Sequence, residues 1–230
     1  MDDLTPVNNQ TLLQFLVHWY GDPTSPHASP SESHTAAPRE LIEWHQISTQ
    51  WDRGITFQNY AVPLSELEQS DGMVLFWVES QGTWIWAYDP EDPDHLVYER
   101  EPSDEPAPWI PTQEKLGDFL AHATIMEAIL GAPAKKTAEA VALESILSRE
   151  GTQEIPFPSW NWPAPGTRIL SNESWLAMIH PSGDPTAGYD VMLSARSIQD
   201  LAWVENSSTA KWRTYSESQG SAEPSEPLTW

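Results

Sequence analysis

Five carboxylates and three large aromatic rings fall within residues 78 to 94, VESQGTWIWAYDPEDPD. Glu79 opens the stretch, Trp84, Trp86 and Tyr88 alternate behind the pair Gln81-Gly82, and Asp89, Glu91, Asp92 and Asp94 close it. Three kinds of chemistry use such residues. Paired carboxylates exchange protons with a substrate, as in glycoside hydrolysis. Indole rings stack on sugars while acids accept bonds from sugar hydroxyls. Carboxylates beside aromatic anchors also receive the Lys and Arg of another protein. On a strand the alternation puts Trp84, Trp86 and Tyr88 on one face and Thr83, Ile85 and Ala87 on the other. A helix covering the larger aromatic face would bury Trp84 and Trp86. Partner binding then falls to Asp89, Glu91, Asp92 and Asp94, and to Glu99, Glu101, Asp104 and Glu105 after the next strand, with Tyr98 or Trp109 as anchors. The Asp-Pro and Pro-Asp pairs favour a turn on their own, so a merely solvated turn is the competing reading.

Other chemistries find little support. There is no G-x-S-x-G elbow, no G-x-G-x-x-G and no GK[ST] loop. The seven histidines, at 18, 27, 34, 45, 95, 122 and 180, form no H-E-x-x-H pair, so neither a metal nor a cofactor is expected. His45 and His122 fall near apolar stripes and read as packing residues. The chain has no cysteine, which excludes a disulfide scaffold, a thiol nucleophile and a Cys-ligated zinc. Of the thirteen tryptophans, Trp77 and most of the others read as core.

Charge narrows the partners. The 230 residues carry 34 Asp and Glu against 11 Lys and Arg, a formal net charge of -23, which repels nucleic-acid phosphates. The excess is uneven: residues 1 to 134 hold 22 acids and 4 bases, residues 135 to 230 hold 12 and 7. An acidic field of this kind steers a basic protein, so the expected partner is protein, with no direct nucleic acid and no membrane. The N-terminus MDDLTPVNNQ has no basic or apolar leader character, and no apolar run reaches the roughly 18 residues of a span. A cytoplasmic monomer or weak dimer is expected.

The elements that must hold these residues follow from periodicity. NNQTLLQFLVHWYG carries a helical stripe through Leu12, Leu13, Phe15, Leu16 and Trp19, stopped by Gly21 and Pro23. After a Pro/Ser/His loop, Pro38 opens a second helix with Leu41, Ile42, Trp44, His45 and Ile47. LSELEQSDG reads as a short helical turn. MVLFWV is a strand covered on both faces, which a turn at Ser80-Gln81-Gly82 pairs with residues 83 to 88. HLVYERE supplies a third strand. A helix over 114–130 has Leu116, Phe119, Leu120, Ala123, Met126 and Leu130 at helical spacing, with Gly131 as its C-cap. A further helix is expected over about 135–149, then strands at GTRIL, SWLAMIHP and GYDVMLSA, and a short helix behind Ser197. From 206 the chain is polar and reads as a frayed tail, apart from a docking of Trp212 or Tyr215.

In this order the segments LIEWHQISTQW, FQNYAVPLSELEQSDGMVLFWVESQGTWIWAYDPEDPDHLVYERE, LGDFLAHATIMEAILGAP and YDVMLSARSIQDLAWVE resemble the SUKH superfamily of Smi/Knr-type proteins, in its bacterial subgroup. The resemblance covers most of residues 12 to 205. Its most specific part is Glu79, Gln81 and Gly82 followed by Trp84 and Trp86, similar to a pattern of Glu-Asn-Gln-Gly and Trp-x-Trp, with Ser80 in place of the Asn. It implies an α+β fold with a mostly antiparallel sheet flanked by helices; a single domain is expected over 1–205, and composition makes 206–230 a polar tail. It also implies a non-catalytic binding role: an immunity protein that neutralises a cognate toxin, often a nuclease, or an adaptor. A carbohydrate-binding or carbohydrate-active protein and an acidic mimic of nucleic acid are the alternatives.

Overall fold

The computed structural model describes residues 9–25, 37–102, 107–184, 188–207 and 210–216. Two helices come first, α1 (Asn9–Tyr20) and α2 (Arg39–Ser48). A first antiparallel sheet follows: β1 (Asn59–Ala61), β2 (Gln69–Ser70), β3 (Met73–Glu79), β4 (Ile85–Tyr88), β5 (Leu96–Arg100) and β6 (Ile110–Lys115). Its order is β1-β3-β4-β5-β6, and β2 pairs with the other end of the β3 edge that β1 occupies. The chain then forms α3 (Leu116–Leu130). A second antiparallel sheet comprises β7 (Ala134–Val141), β8 (Gln153–Ile155), β9 (Arg168–Ser171), β10 (Trp175–Pro181), β11 (Tyr189–Ala195) and β12 (Arg213–Ser216), in the order β12-β7-β11-β10-β9-β8. Short helices α4 (Glu144–Leu147) and α5 (Val204–Ser207) accompany it. The fold is α+β, with its antiparallel strands divided between two sheets.

α3 lies at the centre. Every residue of it except Gly117 and Asp118 is buried, so its apolar surface faces protein on all sides rather than along one stripe. Phe119 meets the first sheet edge-on at Phe76, 5.2 Å between centroids, and at Trp77, 6.2 Å, and stacks on Trp160 at 4.5 Å. The same core takes in Leu16 of α1, Leu41 and Trp44 of α2, and Leu176, Met178 and Met192 of the second sheet. A smaller core on the second sheet joins Trp175 and Leu193 to Ile146, Leu201 and Val204.

The expected elements are present as far as residue 131 with shifted bounds: only Leu64–Glu66 of LSELEQSDG is helical, Gln69–Ser70 being β2, and β4 begins at Ile85 rather than at residue 83. Thr112 to Lys115 extend β6 rather than open α3, and Thr112 and Glu114 are buried while Gln113 and Lys115 are exposed, the period of a strand. Ser197 caps the 3-10 turn Ile198–Leu201 by accepting the Gln199 amide at 3.3 Å. The helix expected over 135–149 is absent. Ala, Lys and Glu are good helix formers, but this stretch is wanted between two strands and tertiary pairing overrides propensity. Ala134, Lys136 and Ala138 are buried on one face of β7, with Lys135, Thr137 and Glu139 on the other, and only Glu144–Leu147 is helical. β11 bulges beside β7 between Tyr189 and Val191. Gly188 is required there, since a Cβ would stand 2.6 Å from the Val141 carbonyl oxygen. Within the stretch read as a polar tail, Arg213–Ser216 pair with β7 and extend the sheet beyond residue 205, and Trp212 packs on the smaller core, a docking of the kind expected for Trp212 or Tyr215.

Phe119→Ala removes the ring on which Phe76, Trp77 and Trp86 of the first sheet and the loop residue Trp160 converge. It should cost about 3–5 kcal/mol, read as a lower urea midpoint at unchanged slope.

Candidate functional site

The hairpin that carries the acidic turn is organised by Glu79. Its side chain is buried beneath the turn, where it accepts the amides of Gln81 at 2.9 Å and Thr83 at 3.2 Å, the Thr83 hydroxyl at 3.0 Å and the Gln58 side-chain amide at 2.7 Å. Burial acts to raise its pKa, and these donors outweigh burial and hold the carboxyl below its ordinary value. Gly82 takes φ of +70°, which closes the turn without a Cβ. Glu79, Gln81 and Gly82 thus act on the hairpin itself. Trp86 is fully buried against Phe119 and Trp162, and Trp84 is half-buried, its indole donating to Glu99 at 3.1 Å.

The turn between β4 and β5 is built from its own acids. Asp89 accepts the Glu91 amide at 2.9 Å, and Asp92 accepts the amides of Asp94 at 3.0 Å and Leu96 at 3.4 Å. Such Asx turns fix the loop. Asp94 receives Lys115 Nζ at 2.7 Å, and Glu91 is exposed. Of the four carboxylates, then, two are spent largely on the backbone, while Glu91 and Asp94 face solvent with Glu101 nearby in sequence.

Glu99 does not belong to this surface. It is buried, because residues alternate along β5 and Val97 and Glu99 turn inward. Its carboxylate binds Trp84 and both the backbone and side-chain amides of Asn161, each of the latter at 2.8 Å; burial nevertheless keeps its pKa above the ordinary value. Tyr98 is half-buried. Trp109 is half-buried too, with the Arg100 guanidinium 4.2 Å from its ring centre. Asp104 and Glu105 lie outside the described residues.

Two further buried acids escaped the sequence reading. Glu114 stands 3.2 Å from His122 Nδ1 and accepts the Trp160 indole at 2.6 Å, while the imidazole stacks on Phe157 at 4.2 Å. His122 is therefore a packing residue, but a hydrogen-bonded one. Glu127 accepts the amides of Phe57 at 2.5 Å, Gln58 at 2.7 Å and Asn59 at 3.1 Å, and the Asn59 side chain at 2.7 Å. Burial raises its pKa to about 7 despite these four donors. A glutamate set in the apolar run ATIMEAIL was the signal available in the sequence, since a charge inside a buried helix must find donors.

The tryptophans are structural. Trp84, Trp109, Trp162, Trp203 and Trp212 are half-buried, and the other seven described are buried, so no indole face stands fully open to a sugar among the described residues. Among these residues no cluster of three or more His, Asp and Glu could hold a metal, and no helix is long and apolar enough to cross a membrane. No family model, no curated protein and no solved structure matches the chain.

Glu127 gives a pH signature. Its folded-state pKa of about 7 exceeds the ordinary 4.5, so the folded protein holds this proton more tightly than the unfolded one. Its contribution to stability is complete below about pH 4.5 and is lost as pH rises through about 7. Urea unfolding between pH ~5 and ~8 should show Glu127→Gln with a flatter profile than wild type across that window; parallel profiles would refute the assignment.

Proposed function

We propose that this protein is a non-catalytic, SUKH-type protein-binding module of the cytoplasm, an immunity protein or an adaptor, whose acidic surface receives a basic protein partner such as a cognate toxin. One observation carries the reading. The buried carboxylates Glu79, Glu99, Glu114 and Glu127 are each engaged by donors inside the fold, whereas the acids left at the surface of the N-terminal half are opposed by few exposed cations. Glu40, Asp52, Glu66, Glu68, Asp71, Glu91, Asp94 and Glu101 are exposed there, against Arg39, Arg53 and Lys115. An internal acid saturated by amides is poorly placed to trade protons with a substrate, while fixed surface acids raise the encounter rate of a cationic protein. The β4–β5 turn adds preorganisation, because its Asx bonds hold Glu91 and Asp94 in place before any partner arrives. Among the described residues no indole is fully exposed, which counts against the carbohydrate alternative.

The reading is tested by capturing the tagged protein's partner from host lysate at moderate salt and then measuring association by stopped flow. A stoichiometric basic protein is expected. Glu91→Lys with Asp94→Lys should slow its association by about tenfold or more at low salt and flatten the salt dependence. These two positions are chosen because Asp89 and Asp92 hold the turn together. Association rates equal to wild type at every salt would remove the turn from the interface.

A further inference from the structure

The second sheet carries a groove of about 900 Å³. Its construction follows from register, since residues directly opposite across strands share a face. His180 of β10 pairs with Asp190 of β11, Met178 with Met192, Met192 with Thr137 of β7, and Thr137 with Arg213 of β12. On β11 this face continues from Ser194, whose hydroxyl donates to the Ile129 carbonyl of α3, through Met192 to Asp190. The groove thus extends the sheet face that α3 covers at Ser194. Lys211, Trp212 and Arg213 add a rim.

The chemistry of the lining is uneven. Met178 and Met192 are 2% and 3% exposed and give a soft, polarizable floor. Asp190 is spent on the wall, where it accepts the Ala140 amide at 3.3 Å and lies 3.7 Å from His180 Nε2. Glu139 reaches Arg213 only at 3.8 Å, with both side chains mostly exposed, an arrangement of little energy. Lys211 and Arg213 put positive charge at the rim, set against the carboxylates of Glu139 and Asp190 in the same lining. At the other end His180 Nδ1 is shielded from solvent and has no hydrogen-bond partner among the described residues. At 3.7 Å Asp190 lies beyond hydrogen-bond distance of Nε2, so Nδ1 is open to a donor or an acceptor. A shielded, unsatisfied nitrogen in a groove wall asks for a hydrogen-bond partner.

We propose that this groove binds an amphipathic organic anion: an apolar, flat body on the methionine floor, a carboxylate or sulfonate at Lys211 and Arg213, and a hydrogen-bonding group at His180 Nδ1. Its volume falls within the range of about 300–1,000 Å³ typical of small-molecule sites. The site lies on the second sheet, apart from the acidic turn of the first, and stands or falls independently of the protein-binding reading.

The probe is 8-anilinonaphthalene-1-sulfonate, with the uncharged N-phenyl-1-naphthylamine as comparator, titrated by fluorescence against the full chain. Wild type should bind the sulfonate saturably at one site, about tenfold or more tighter than the amine, and the nitrogen-15 signal of His180 Nδ1 should move. Lys211→Glu with Arg213→Glu should erase the preference for the sulfonate while keeping the amine. Met192→Trp, which fills the floor, should lose both probes; the charge variant keeps the test decisive should the core substitution unfold the protein. Absence of saturable sulfonate binding, or sulfonate affinity unchanged in the charge variant, would overturn the proposal.

Discussion

A helix buried on nearly every side must satisfy its polar side chains within the protein, and α3 does so by using each to hold a different neighbour. Thr124 accepts the indole of Trp44 on α2 at 2.9 Å while its own hydroxyl donates to the Leu120 carbonyl. Glu127 gathers the amides that lead into β1, and His122 faces Glu114 at the end of β6. At roughly 100° per residue, His122 points away from both Thr124 and Glu127, so the bonds brace the helix from opposite sides. Burial of apolar area supplies the energy that keeps α3 between the sheets, but it is non-directional. The polar bonds fix rotation and height.

That constraint sorts the carboxylates into two populations. Inside, each acid has surrendered its hydration and recovers the loss from amide and indole donors; removing those donors would leave a desolvated charge, which is why the loops before β1 and around Asn161 adopt the conformations they do. Outside, acids have no such obligations and accumulate. The same residue type thus serves cohesion in the core and repulsion at the surface. The surface repulsion is tolerable because exposed charges are well screened, while the interior bonds are short and shielded.

Much of this division was legible in the sequence and some was not. The six apolar residues MVLFWV, the Gln81-Gly82 turn and the stripe from Leu116 to Leu130 report local rules, and local rules placed β3, β4 and α3. Glu79, Gln81, Gly82, Trp84 and Trp86 were visible as a group because they act within one hairpin. Glu99 shares the inward face of β5 with Val97, but the donors that compensate its burial come from Asn161, 62 residues away in the chain, and local rules do not show them. β7 was hidden by its Ala, Lys and Glu composition, since only β11 and β12, themselves distant in sequence, make that segment a strand. The groove was invisible for the same reason: four strands from two ends of the second half must align before His180, Met192 and Arg213 share a face.

An anion site on a protein of net charge -23 is electrostatically coherent only if the ranges of the two effects differ, and they do. At physiological salt, screening sets in over about 8 Å, so a ligand seated in the groove responds mainly to Lys211, Arg213 and the groups beside them. The net charge acts earlier, on approach, and slows the arrival of any anion while hastening that of a cationic protein. The acidic half and the cation-rimmed groove therefore make separable demands: a rate advantage for one partner, a local affinity for the other. Raising salt should relax the first before it reaches the second, because the field that steers spans solvent, whereas the contacts in the groove act at short range.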